Sequence, residues 1–313
     1  MIRRSPFPAV IALVTSLSVG CGSRQPNAPF QPTPEEAEWD THHRSELAGD
    51  VPSAVAGYGS MCRQTPPYVR ACYDEARLLF ESGDARTGRE RAATFIASHA
   101  DDALAPTMAK ELADSYANAD EPVAGIEALG KLADETKGRD AADSIIMEKA
   151  RLEHGAGRVD DEIATLARIV DGMDRWSSQL WDDAIWRLIE LRGERGEKDE
   201  ERKLLQRLLS TEESSWILGS YTSPYNDEAL LRLGRLELER GAFDAATAPL
   251  LELASRDTSR LKDDGLYLAA EARVAAGKRN DACRLLARLL KDMPDANRTR
   301  DARALRKRLG CGD

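Results

Sequence analysis

Thiols are the most reactive side chains this 313-residue chain offers, and it has five: Cys21, Cys62, Cys72, Cys283 and Cys311. No two stand as Cys-x-x-Cys, so neither a dithiol redox motif nor a zinc knuckle is written here. Four histidines follow, His42, His43, His99 and His154. His42 and His43 with Asp40 are the nearest thing to a metal-ligand cluster, but neighbouring helical residues point in different directions, which favours a solvated or packed pair. Gly-Lys-Ser/Thr phosphate loops, a G-x-S-x-G elbow and His-Glu-x-x-His are all missing. The carboxylate pairs Asp160-Asp161 and Asp182-Asp183 open helical stretches, where acids complement the helix dipole. No catalytic residue, metal ligand or cofactor-binding residue is nominated, and a non-enzymatic protein is expected.

Cys21 is set apart by its surroundings. Met1–Arg4 is short and basic, and residues 6–19 form an uncharged apolar run of 14 residues. A comfortable membrane span needs roughly 20, so residues 1–20 read as a secretory signal peptide. Val19-Gly20-Cys21 resembles the end of a bacterial lipoprotein signal, although Ser18 stands where such signals usually carry leucine and also suits ordinary cleavage. Residues 21–34 are a Pro-rich flexible tether. The resemblance implies a lipid on Cys21. With Gly22 and Ser23 following, it implies the periplasmic face of an outer membrane; a soluble periplasmic or secreted chain is the alternative. With Cys21 acylated, four thiols remain, which allow three connectivities. Local pairing, Cys62 with Cys72 and Cys283 with Cys311, is the most economical, and buried free thiols are the other reading.

The elements that would carry these residues are written in turns. GDVPSA (49–54), GDARTG (83–88), GRVDDE (157–162), GEKDEE (196–201), GAFDAA (241–246) and GKRNDA (277–282) each close one helical stretch and open another. ADEPVA (119–124) fills the gap, with Ala119 in the glycine's place. Glycine reverses the chain without a Cβ penalty, and an Asp or Pro beside it favours a new helix start. Small residues seven before the turn glycine (Ala76, Ala150, Gly234, Ala270) let paired helices approach closely.

These features resemble the tetratricopeptide repeat (TPR), a helix–turn–helix unit of 34 residues in that family. Pro66 and Pro294 fall where its proline belongs, and Tyr58 matches its aromatic. The expected fold is all-α: an α-solenoid of about seven TPR-like hairpins over 35–296, then a capping helix and tail, 297–313. The low aromatic content of 5% agrees with helices rather than a β-sandwich or barrel.

The resemblance also implies a partner-binding concave face lined by each unit's first helix. Ten residues before the turn glycine stand Trp39, Tyr73, Ala109, Met147, Trp186, Leu231 and Tyr267; four further on stand His43, Arg77, Ala113, Arg151, Glu190, Arg235 and Glu271. Spacing i,i+4 puts the two columns on one helical face. Aromatics beside charges suit a peptide groove, with Trp39, Tyr73, Arg77, Arg151, Trp186, Arg235 and Tyr267 as its candidate contacts. Packing of the aromatic column between helices is the plainer alternative. The turn spacing from Gly196 to Gly241 is 45 residues, and the surplus lies in 210–227. That insertion, with Trp216 and Tyr221, either covers the edge of units 5 and 6 or docks a partner.

A net charge of −10 makes nucleic acid an improbable general partner. The function these features imply is a scaffold or adaptor lipoprotein of the bacterial cell envelope. It would bind protein segments during complex or outer-membrane assembly. A periplasmic regulatory subunit, an envelope enzyme or a plain spacer are the alternatives.

Overall fold

The protein is described by a computed structural model covering residues 32–172, 178–211, 213–215 and 219–312. Helices α1 (Pro34–Leu47) and α2 (Val51–Cys62) form the first hairpin, α3 (Val69–Glu81) and α4 (Ala85–Ser98) the second, and α5 (Ala105–Asn118) and α6 (Pro122–Glu135) the third. Four more follow: α7 (Ala142–Gly155) with α8 (Val159–Gly172), α9 (Trp181–Glu194) with α10 (Lys198–Leu209), α11 (Asn226–Glu239) with α12 (Phe243–Ser255), and α13 (Lys262–Ala275) with α14 (Arg279–Asp292). Helix α15 (Thr299–Leu309) closes the array. Seven hairpins and a cap make the α-solenoid that the turns predict. Among the described residues the one departure from all-α is a small antiparallel pair inside the insertion, β1 (Glu213–Ser215) with β2 (Gly219–Tyr221). None of the described helices is long and apolar enough to cross a membrane.

The hairpin turns share one geometry. Gly49, Gly83, Gly157, Gly196, Gly241 and Gly277 all have φ between 69° and 88°, the left-handed region where a Cβ is penalised. After most of them the next amide reaches back five residues, as Lys278 N does to Arg273 O at 2.8 Å, closing a Schellman turn. In the third unit the left-handed residue is Asp120, at φ 58°, whereas Ala119 has φ −89°. Glu121 N donates to Tyr116 O at 2.9 Å, the same closure. The glycine's equivalent is therefore Asp120, which tolerates the left-handed region through its short polar side chain, and Ala119 is one place early. Registered on Asp120, the third unit puts Lys110 and Asp114 in the two columns; Ala109 and Ala113 are fully buried beneath them.

Packing follows the small residues. A Cβ on Gly265 would come within 2.7 Å of the Leu250 carbonyl oxygen, so α13 crosses the backbone of α12 at a distance only glycine allows. An apolar seam runs from Cys72 to Leu236, with smaller clusters at both ends. First helices also touch one another along the array: α3 meets α5, α5 meets α7, and α11 meets α13. That file of first helices forms the face on which the candidate residues stand.

Candidate partner-binding face

The aromatic column turns out to hold the units together. Trp39 Nε1 donates to Asp74 Oδ2 of the next unit at 2.9 Å, and Tyr73 OH donates to Glu111 Oε1 of the unit after that at 2.7 Å. Each acceptor lies nine residues before its own turn residue, one place along from the donor column. Lys110, which holds the donor position in the third unit, pairs instead with Asp114 of its own helix at 2.6 Å. Beyond the fourth unit the acceptor position becomes Arg187 and then Arg232. The contact changes with it: the Arg232 guanidinium sits 5.8 Å from the ring centre of Trp186, and Arg298 sits 5.2 Å from that of Tyr267. These are rungs between neighbouring repeats.

The electrostatics of the rungs follow from burial. Asp74 is 1% exposed and accepts from Trp39, Arg70 and Arg77. Burial raises the Glu111 carboxyl above its ordinary pKa, only partly offset by the Tyr73 hydroxyl and Arg77. The same burial, with the Glu111 carboxylate alongside, pushes the Tyr73 phenol up. Tyr267 is pushed up to about 12 by burial and its hydrogen bond to Glu271.

Two of the three candidate arginines are similarly committed. Arg77 donates to Glu46 Oε1 at 2.6 Å across the unit boundary and to Glu81 Oε1 at 2.7 Å. Burial alone would lower its pKa; those two carboxylates reverse the shift upward. Arg151 donates to Asp114 Oδ1 of the third unit and to Glu148 Oε2, both at 2.6 Å. Arg235 differs: it is exposed, and no carboxylate among the described residues forms an ion pair with it.

A second set of ties escaped the sequence reading. Asp143, Asp182, Asp227 and Asp263 each stand fourteen residues before a turn glycine, in the first turn of α7, α9, α11 and α13. Each reaches the segment leading into the next unit. Ser178 Oγ donates to Asp143 Oδ2 at 2.7 Å, and Tyr221 OH donates to Asp182. Arg256 Nε lies 3.8 Å from Asp227, and Arg298 N donates to Asp263 Oδ2 at 3.2 Å. Pairing with the helix dipole is thus only part of what these acids do. The constant offset from the turn glycine was the signal that could have revealed them.

The insertion's later part lies against α9. Tyr225 stacks on Trp186 with ring centres 5.0 Å apart and planes 5° from parallel, and its hydroxyl donates to Asp183. Trp216 and Cys21 lie outside the described residues. Cys62 and Cys72 are joined with Cα atoms 4.8 Å apart, tying α2 to α3, and Cys283 and Cys311 with Cα atoms 5.6 Å apart, tying α14 to the chain beyond α15. Among the described residues no group of three His, Cys, Asp or Glu could hold a metal ion.

Two clefts open on the first-helix face. One of about 440 Å³ lies between α3 and α5, with Phe80 as an apolar wall among Arg77, Glu81, Glu111 and Asp114. The other, about 260 Å³, lies between the end of α9 and α11 with α10 contributing, and is lined by Gly193 of α9, Lys198 and Glu201 of α10, and Arg232, Arg235 and Glu239 of α11. Both set charged side chains beside short apolar surface, which suits an amphipathic or extended segment better than a small molecule.

Residues 264–296, spanning α13 and α14, match the tetratricopeptide repeat family model. No curated protein matches the chain. Among solved structures it is similar to Naa15/Naa10 bound to HypK-THB, with 14% identity, a TM-score of 0.47, and coverage of 84% of this chain and 38% of that one. It is also similar to a tetratricopeptide repeat protein from Parabacteroides merdae, with 13% identity, a TM-score of 0.37, and coverage of 88% and 98%. A third is YrrB, described as a TPR protein with an unusual peptide-binding site, with 14% identity, a TM-score of 0.41, and coverage of 65% and 93%. This chain therefore spans well under half of the first of the three. The matched segment is the last of seven hairpins that share its turn geometry and register. The chain is thus an all-α array of TPR-like hairpins, the last of which matches the tetratricopeptide repeat model.

Proposed function

We propose that this repeat array is a non-enzymatic scaffold which grips a segment of a partner protein on its first-helix face, within a bacterial cell envelope. The observation that carries the reading is Arg235: an exposed, unpaired cation at the mouth of the α9–α11 cleft, on a face whose other candidate charges are spent on internal ties. A guanidinium left free of carboxylates beside a cleft is a ready donor to a partner's carboxylate or backbone carbonyls. Support for export comes from the basic start, the apolar run and Val19-Gly20-Cys21. The four remaining cysteines, all bridged, fit an oxidising compartment. A lipid on Cys21 would hold the array at a membrane through the Pro-rich tether.

The test is crosslinking in cells with an Arg235→Glu chain. Reversing Arg77 or Arg151 would break rungs and confuse binding with folding, whereas Arg235 can be reversed without loss of an ion pair. The expected result is unchanged thermal stability and loss of the crosslinked partner. Retention of the same partner at the same yield would sink the groove assignment. Palmitate labelling of wild type against Cys21→Ser tests the anchor separately; an unlabelled wild type would refute it.

A further inference from the structure

The charge of this protein is distributed unevenly. Lys278–Asp313 carries eleven Lys and Arg against five Asp and Glu, in a chain that holds 44 against 54 overall. An acidic molecule therefore ends in a strongly basic cap. The cap is made of α14 and α15, which run antiparallel: Arg279 Nη2, at the start of α14, donates to Gly310 O, just past the end of α15, at 2.8 Å.

Helix α15 divides its faces sharply. Thr299, Ala302 and Leu305 are buried, with Leu309 half-buried below them, and this side packs on α14 through Ala282, Leu286 and Leu289. Arg300, Arg303, Lys307 and Arg308, spaced i, i+3, i+7 and i+8, occupy the opposite side and are exposed. No ion pair with a carboxylate is made by any of these four among the described residues, whereas most other cations of the chain are paired. On α14, Arg284, Arg288 and Lys291 share an exposed stripe; Asp281 and Asp292 partner the first two, and Lys291 is unpaired. Complementing the dipole at the end of α15 accounts for Arg306, Lys307 and Arg308, but not for Arg300 and Arg303 in its first half.

We infer that this cap is an electrostatic docking face for an anionic lipid surface. Its chemistry fits a diffuse sheet of negative headgroups. Four unpaired cations on one helical stripe fall in the range that adsorbs to acidic lipid. The apolar side of α15 is consumed by α14, so contact is peripheral and nothing inserts. Single-stranded nucleic acid fits less well, because Lys278–Asp313 contains no Phe, Tyr or Trp on which bases could stack, and duplex DNA is an arm of the test. The inference does not depend on the Cys21 lipid: it concerns the opposite end of the array.

The experiment is co-sedimentation of the full chain, carrying Cys21→Ser in every arm, with phosphatidylcholine vesicles with and without phosphatidylglycerol. The test variant is Arg300→Gln, Arg303→Gln, Lys307→Gln and Arg308→Gln together. A control variant removes the same charge elsewhere, at Arg86, Lys131, Lys137 and Lys203, each to Gln. The unaltered cap is expected to bind phosphatidylglycerol vesicles and to release them near 1 M salt, where the screening length is about 3 Å. Each cation that reaches the surface should be worth about fivefold in partition, so the test variant should lose roughly a hundredfold or more. The control variant should bind like the parent. Three results would each overturn the inference: equal binding to neutral vesicles, equal loss in the control variant, or tighter binding to duplex DNA than to acidic vesicles. Circular dichroism on both variants reads out folding: the four cap side chains are exposed and unpaired, and the control's pairs, Arg86–Glu90, Lys131–Glu135 and Lys203–Glu200, are exposed surface pairs of little worth, so both should melt close to the parent.

Discussion

If Tyr73 is a rung rather than a groove residue, its hydroxyl should matter for stability in a way that depends on Glu111. The perturbations are Tyr73→Phe, Glu111→Gln and the pair together. Tyr73 is 6% exposed and its hydroxyl is 2.7 Å from Glu111 Oε1. Losing a donor to a charged group such as the half-buried Glu111 carboxylate costs about 1.5–3 kcal/mol, whereas losing one to a neutral amide oxygen costs about 0.5–1.5. Tyr73→Phe should therefore cost about 1 kcal/mol more beside Glu111 than beside Gln at that position, which is the coupling energy of the cycle. The pH dependence has a definite sign. Because burial holds the folded Glu111 pKa above its ordinary 4.5, the group's contribution is fully present below the unfolded value. It is lost as pH rises through the folded one. Glu111→Gln should thus equal or exceed wild-type stability at neutral pH, and its advantage should vanish below about pH 4.5. Native-state hydrogen exchange across α3 and α5 is the assay, since repeats open locally. Identical Tyr73→Phe costs in both backgrounds, or a cost below about 0.3 kcal/mol, would refute the rung and return Tyr73 to the groove.

Two more expectations come from the turns and the staples. Asp120→Gly should stabilise the third hairpin by about 0.5–1 kcal/mol, because the position is left-handed and the other turns use glycine there; a loss in urea unfolding would mean the aspartate side chain is needed. Removing Cys283–Cys311, which closes 28 residues, should cost about 3.5 kcal/mol of exchange protection in α14 and α15, and removing Cys62–Cys72, which closes 10, about 2.5 in α2 and α3. Protection in α7 and α8 should not change; a uniform loss along the array would contradict nearest-neighbour stability.

The fold is largely legible because its punctuation is chemical. Six glycines mark positions where φ must be positive, and the spacing between them fixes hairpin length whatever the helices contain. The third turn is misregistered by one because aspartate meets the same backbone demand without the same letter. The hairpin β1–β2 is illegible for a related reason: a short pair of strands inside a Ser-rich insertion has no alternating apolar pattern to read. The inter-repeat ties are harder still. Asp74 and Glu111 look like ordinary solvated helix acids until the neighbouring helix is in place, and nothing local says that Trp39 or Tyr73 will be the donor.

The same columns explain why Arg235, alone of the three candidate arginines, has no ion pair among the described residues. In the second and fourth units the arginine six before the turn glycine has an acid three residues earlier: Asp74 before Arg77, Glu148 before Arg151. Each pair lies on one helical face, and each is made, at 3.4 and 2.6 Å. In the sixth unit that earlier residue is Arg232, which is turned to Glu201 at the base of the cleft and to the Trp186 ring. Arg235 therefore meets a like charge where its counterparts meet a carboxylate, and it stays exposed. A change of sign at one rung position converts the array from a self-satisfied ladder in its first half to one with an unspent cation in its second. A partner carboxylate arriving at the α9–α11 cleft would complete the pairing that the repeat pattern makes elsewhere from its own chain.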